Sequence, residues 1–139
     1  MIREYRHGNA ETDPELYALI GPWVVSRTLH EKLGMPITSE PGDIWLVSVD
    51  KNGNPIGFVQ MHQFKNGNVH LRYLHGQTKP TRRALIKKSE EVAKAADAPM
   101  IYTNDRADKD IWAAQGYAQR PGQRRGDFVK WEKTLKEKE

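Results

Sequence analysis

The period of the apolar positions changes several times along the chain, and each change marks an element. Ile2 to His7 reads as a short strand. "TDPEL" then announces a helix, with Asp13 as N-cap, Pro14 at the first helical position and Glu15 in the first turn. Leu16, Ile20, Trp23, Val24 and Leu29 keep helical spacing. Gly21-Pro22 interrupts them, so the pattern predicts two helices with a break there, the second ending near Gly34. "MPITSEPGD" is a loop. Asp43 to Asp50 (DIWLVSVD), Ile56 to Phe64 (IGFVQMHQF) and Val69 to His75 (VHLRYLH) read as strands. They are joined by two copies of "KNGN", whose Asn-Gly pair tolerates the positive φ of hairpin turns. The three form an antiparallel meander, not a long-period repeat. A helix follows to about Ala96, with Leu85, Ser89, Val92, Ala93 and Ala96 inward and Lys87, Lys88, Glu90 and Glu91 outward. Pro99 to Thr103 is a short buried strand. "NDRADKDIWAAQGY" is a short helix capped by Gly116. Tyr117 to Arg120 and Phe128 to Lys133 form a closing hairpin around the loop "PGQRRGD", and "KTLKEKE" is a solvated tail.

Bulk properties change this picture little. The 139 residues fit one domain, 1–139, long enough to bury roughly 70% of its unfolded surface. Four Trp and five Tyr supply a core, while a mean hydropathy of −0.78 describes a well-hydrated protein. No apolar run approaches the ~18 residues of a membrane span, and "MIREYRHGNAETD" has no apolar signal region. Cysteine is absent, which removes disulfides, thiolate metal sites and Cys nucleophiles and makes the cytoplasm the simplest compartment. A net charge of +4 and a pI near 9.3 leave open a polyanionic partner, either nucleic acid or a phosphorylated cofactor.

The order strand, two helices, three-strand meander, helix, strand, short helix, two strands resembles the GNAT N-acetyltransferase superfamily over almost the entire chain. "RALIKKSEEVAKAA" resembles its helix after the cofactor loop, "YTND" ends a strand with Asn104 where the family often places Asn, and "IWAAQGY" resembles its closing aromatic element. The resemblance implies an α+β fold: a mixed, mainly antiparallel sheet flanked by helices, in the order β-α-α-β-β-β-α-β-α-β-β. It also implies acetyl transfer from acetyl-CoA, or another acyl-CoA, to an amine acceptor. The fourth and fifth strands are expected to be parallel and splayed, with a cleft between Tyr73-Leu74 and Tyr102-Thr103.

The family's pyrophosphate loop has the pattern Gln/Arg-x-x-Gly-x-Gly/Ala, which falls here on Gln77-Thr78-Lys79-Pro80-Thr81-Arg82. Gln77 fits, but Pro80 and Arg82 replace the two small residues. Proline removes a backbone donor that glycine would keep. Lys79, Arg82 and Arg83, with the Thr78 and Thr81 hydroxyls, are the expected substitutes. Three cations at a helix start oppose its dipole unless an anion lies between them. Leu74, His75 and Asn104 complete the expected cofactor contacts.

His70 stands on the strand position where the family often carries a catalytic Glu, and an imidazole titrating near neutrality suits a base. The family's acidic Tyr is replaced by Trp112, so Tyr102 is the nearest phenol to protonate a thiolate. No histidine shows metal-ligand spacing along the chain, and no metal is expected. Two other readings stay open: an acyltransferase acting on nucleic acid through Arg120, Arg124 and Arg125, and a GNAT-fold binding module without catalysis. The oligomeric state is not legible.

Overall fold

A computed structural model describes residues 1–105, 109–125 and 128–135, apart from the side chains of 109 and 121–125. The elements run β1 (Ile2–Arg6), α1 (Asp13–Val24), α2 (Arg27–Leu33), β2 (Ile44–Val49), β3 (Pro55–Gln63), β4 (Val69–Leu71), β5 (His75–Gly76), α3 (Lys79–Ala95), β6 (Met100–Asp105), α4 (Lys109–Ala114), β7 (Ala118–Arg125) and β8 (Phe128–Thr134). One sheet carries them in the order β1-β2-β3-β4-β6-β8-β7, with β5 pairing β3. All neighbours are antiparallel except β4 and β6. The expected mixed α+β sheet is therefore present, with the fourth strand divided in two.

That division positions the site. Leu71 pairs Met61 and His75 pairs Phe58, so four steps along this strand oppose three on β3. The extra residue is a bulge at Tyr73-Leu74, bracketed by Arg72 N–H bonding the Gln60 carbonyl and Gln77 N–H bonding that of Ile56. The chain bends there and leaves β6, whose parallel pairing ends at Leu71 opposite Thr103. Beyond Thr103, Asn104 and Asp105 pair only with β8.

The two "KNGN" turns fold alike: Asp50 N–H bonds the Asn54 carbonyl, Phe64 N–H bonds that of Asn68, and Gly53 and Gly67 take φ of 83° and 91°. Strand alternation separates two cores. Leu46, Val59, Met61, Leu71 and Ile101 pack under α3 and α4. Trp45, Val47, Val49, Phe58 and Tyr73 pack under α1 and α2. Beyond the cover of α1 and α2, their face of the sheet carries His62, His70 and Tyr102 in one cross-strand row.

Several details depart from the sequence expectation. Helix α1 passes through Gly21-Pro22 and ends at Val24. A proline this near a helix end forfeits one bond, with only two residues following it. The break lies at Ser26, whose extended backbone and Oγ, accepting from Leu29 N–H at 3.2 Å, start α2. Thr12, not Asp13, holds the N-cap position of α1, and the Asp13 carboxylate accepts the Gly8 N–H instead. Glu90 points inward, because Lys133 on β8 and Tyr117 reach it, while Ala96 is exposed and Ile86 takes a core position. The stretch expected as the loop "PGQRRGD" is mostly strand, reached through a register shift between Gln119 and Arg124. Among the described residues, no helix is long and apolar enough to cross a membrane.

Candidate functional site

The splay between the bulged strand and β6 opens a cavity of about 290 Å³ lined by Leu33, Met35, His70, Arg72, Tyr73, Leu74, Thr103, Asn104 and Asp105. The bulge makes one wall, the end of β6 the other, and the end of α2 the roof. Three of its polar side chains are held by hydrogen bonds. Thr103 Oγ1 donates to the Leu71 carbonyl at 2.8 Å. Tyr73 Oη meets Thr38 N–H at 3.3 Å and Thr38 Oγ1 at 3.1 Å. Asp105 Oδ2 accepts Trp112 Nε1–H at 2.6 Å. Trp112, fully buried, thus braces the cavity wall from behind, which is a positioning task that an indole donor can perform.

His70 lines the cavity and stacks on Tyr102, with ring centroids 4.5 Å apart and planes 7° from parallel. Burial first, then the nearby Arg72, His62 and Lys130, lower its pKa from 6.5 to about 4. The expected titration near neutrality is therefore not what this environment produces: His70 is a neutral imidazole at pH 7. Tyr102 does not line the cavity. It lies behind His70 with Lys130 Nζ 4.8 Å over its ring, and burial raises its pKa, so its phenol stays protonated.

Of the expected cofactor contacts, Leu74 and Asn104 line the cavity. His75 turns away, packing edge-on against Trp23 at 5.5 Å and near Phe58, with its pKa lowered to about 4 by burial, Lys32 and Arg82. Gln77, Thr78, Lys79 and Arg83 are exposed around the start of α3. Thr78 is its N-cap, and its Oγ1 accepts Thr81 N–H at 3.3 Å. Arg82 N–H bonds the Thr78 carbonyl and Pro80 has no N–H, which leaves the Lys79 amide as the backbone donor at the helix tip. Arg82 folds back so that Nη1 donates to the Gly76 carbonyl at 2.9 Å. Close packing fixes this corner: a Cβ on Gly57 would lie 2.7 Å from the His75 carbonyl oxygen, and one on Gly76 would lie 2.8 Å from Arg82 Cγ.

Beside the cavity, the nearly inaccessible Asp43 receives His62 Nδ1 at 2.7 Å on Oδ1 and Glu40 N–H at 2.9 Å on Oδ2, with Arg72 Nη1 4.0 Å from Oδ2. Glu40, Asp43 and His62 offer ligand atoms within 4.8 Å of one another. Glu40 is exposed, however, and Asp43 is already committed to His62, so the cluster is no more than a possible cation site by proximity. No chain spacing announced it, because His62 on β3 is brought to Glu40 and Asp43 only by the sheet. Strand alternation places Arg72 on the face of His70, and it was the legible signal for this missed residue. Arg120 is engaged with Glu132 at 3.2 Å, while the side chains of Arg124 and Arg125 lie outside the described residues.

No family model matches the chain, and no curated protein matches its sequence. Solved structures do match its fold. An acetyltransferase of the GNAT family from Staphylococcus aureus is 13% identical, with a TM-score of 0.65 and 98% of this chain and 100% of that chain covered. A putative N-acetyltransferase from Lactobacillus plantarum is 14% identical, with a TM-score of 0.72 and coverage of 96% and 98%. An aminoglycoside 6'-N-acetyltransferase complexed with coenzyme A is 14% identical, with a TM-score of 0.65 and coverage of 100% and 99%.

Proposed function

We propose, from its GNAT fold, that this protein is a cytoplasmic single-domain N-acyltransferase taking an acetyl or other acyl group from acyl-CoA to an amine. The observation that carries the reading is the splayed parallel pair β4/β6, whose cavity is lined as far as Leu74, five residues before the basic start of the 17-residue helix α3. Acyl-CoA would supply a thioester carbonyl for the amine to attack. The residues present fit such a group by charge rather than by backbone. With Pro80 lacking an N–H and Thr81 capped by Thr78, phosphate recognition falls to Lys79, Arg83 and the turned-back Arg82, with the Thr78 and Thr81 hydroxyls and Gln77 around them. Leu74 and Asn104 would flank the reactive end, and His75 would support the wall through its packing.

In the cavity, neutral His70 orients the amine and accepts its proton only briefly, as its low basicity dictates, so positioning contributes most. Tyr102, outside the cavity, holds the His70 ring by stacking, so the role of acid expected of it passes to another group. Tyr73, which does line the cavity and whose Oη bonds Thr38, is the phenol placed to give the leaving thiolate its proton. A binding module without catalysis remains the alternative, supported by the departures at Pro80 and Trp112.

Thermal unfolding with acetyl-CoA tests the reading. A ligand at a hundred times its Kd adds about 2.7 kcal/mol, which for a chain of this size is a rise of roughly 10 °C in Tm. Replacing Lys79 and Arg83 with Ala removes charge-assisted contacts worth roughly 1.5–3 kcal/mol each, and should weaken binding at least about tenfold. The salt dependence should fall with it. No shift in Tm at millimolar acetyl-CoA leaves only the binding-module alternative.

A further inference from the structure

Among the described residues, Arg72 is the cation of the cavity lining, and no side chain among them takes a hydrogen bond from its guanidinium. Its side chain is 19% exposed, so most of the hydration that a guanidinium enjoys in water has been removed. The carboxylate beside it, Asp43, stands at 4.0 Å, too far for a hydrogen bond. Both Asp43 oxygens are already engaged at shorter range, by His62 Nδ1 at 2.7 Å and Glu40 N–H at 2.9 Å. Asp43 therefore holds the guanidinium in place by charge without taking its N–H donors. Lys130 is a second cation nearby, since it acts on His70 as Arg72 does. On the opposite arm Asp105 is the carboxylate of the lining, braced by Trp112. A cationic group and an anionic group thus face one small cavity from its two walls, and Leu33, Met35 and Leu74 supply apolar cover between them. At about 290 Å³ the space is at the lower end of ligand cavities, which run roughly 300–1,000 Å³, and suits a small acceptor.

We propose that the acceptor is a small amine that also carries a carboxylate, an amino acid or close analogue, with Arg72 binding the carboxylate and Asp105 placed on the side of the amine. The proposal rests on the acyltransferase reading and deepens it. Arg72 supplies a planar fork that matches a carboxylate through two parallel N–H···O bonds, which lysine cannot reproduce. Asp43, oriented by His62, is the positioning residue that keeps the fork aimed. A polycationic acceptor would meet Arg72 and Lys130 as like charges and is disfavoured.

The test uses the full chain with acetyl-CoA and matched acceptor pairs: L-amino acids and the amines left when their carboxylate is removed. Release of free thiol reads the turnover. Expected is a kcat/KM about 10- to 100-fold higher for the carboxylated member of the best pair, the range of one charge-assisted contact. Arg72→Met should abolish that preference through a raised KM for the amino acid, read as the ratio between the two members of the pair so that any change in His70 basicity, common to both, cancels. Arg72→Lys should recover only part of it. The wild-type pair comparison stands even if an Arg72 variant does not fold. The proposal is overturned if the protein is stabilised by acetyl-CoA yet prefers the plain amines, turns over no carboxylated amine, or keeps its preference in Arg72→Met. If acetyl-CoA neither stabilises the protein nor is consumed, the acyltransferase reading fails first, and this proposal fails with it.

Discussion

Replacing Gly57 with Ala tests whether the corner that leads into α3 is fixed by close packing. Gly57 is not among the positive-φ glycines, so alanine meets no backbone strain there. What it lacks is room. Its Cβ would sit 2.7 Å from the His75 carbonyl oxygen, 2.9 Å from Thr81 Cγ2 and 3.0 Å from Gly76 Cα. Carbon contacts are comfortable near 3.5–4.0 Å, so something must move by several tenths of an ångström or more. Two of the three obstacles are backbone of β5, paired to β3 at this very position, and cannot swing aside as a side chain can. Overpacking costs roughly 1–3 kcal/mol, and a backbone obstacle argues for the upper half of that range. At about 4 °C per kcal/mol for a chain of this length, Tm should fall by about 8–12 °C. The displaced strand carries Thr81 and Arg82 with it, so acetyl-CoA affinity should drop together with stability. Gly21→Ala is the control without such obstacles: nothing beyond its chain neighbours lies within 4 Å of its Cβ, and the gain of a helix former inside α1 is offset by the clash of that Cβ with the Pro22 ring, so Tm should move little. Differential scanning calorimetry and isothermal titration of both variants decide the matter. A Gly57→Ala protein that melts within a degree of wild type and binds acetyl-CoA equally well would refute the packing reasoning.

Two further outcomes are expected. His70 and His75 have pKa values lowered from 6.5 to about 4, so as pH falls the unfolded chain takes up protons first; their contribution is full above pH 6.5 and is lost toward pH 4. It is on the order of 1 kcal/mol each after allowance for partial exposure, and the double variant His70→Gln/His75→Gln should flatten the dependence of Tm on pH between 7 and 5, whereas an unchanged slope would refute the assignment. Glu90→Leu should cost roughly 3–5 kcal/mol, because the partly buried Lys133, 2.8 Å from Glu90 Oε1, loses its counter-charge and Tyr117 its acceptor; urea unfolding measures this, and a loss below 1 kcal/mol would mean that Lys133 simply reaches water.

The sequence by itself determined the elements whose causes are local. Twin "KNGN" turns, period-2 alternation in β2 and β3, and the apolar stripe of α3 involve residues within one turn or one strand of each other, so their order followed. The cleft was expected from the resemblance, to which the helix between Leu74 and Met100 conforms, because a parallel pair needs such a crossover. Tertiary structure decided what depends on partners far along the chain. The break between α1 and α2 moved to Ser26 because a single lost bond at Pro22 does not end a helix already docked through Leu16 and Ile20. Glu90 turned inward because Lys133 and Tyr117 arrive from the closing elements to satisfy it. Alternation put His70 on the right face, but its low basicity comes from burial and from Arg72 and Lys130 on the strands around it. Asp43, His62 and Arg72 meet only once β2, β3 and the bulged strand lie side by side, and such a cluster leaves no spacing to read, since its geometry belongs to the sheet register and not to the chain.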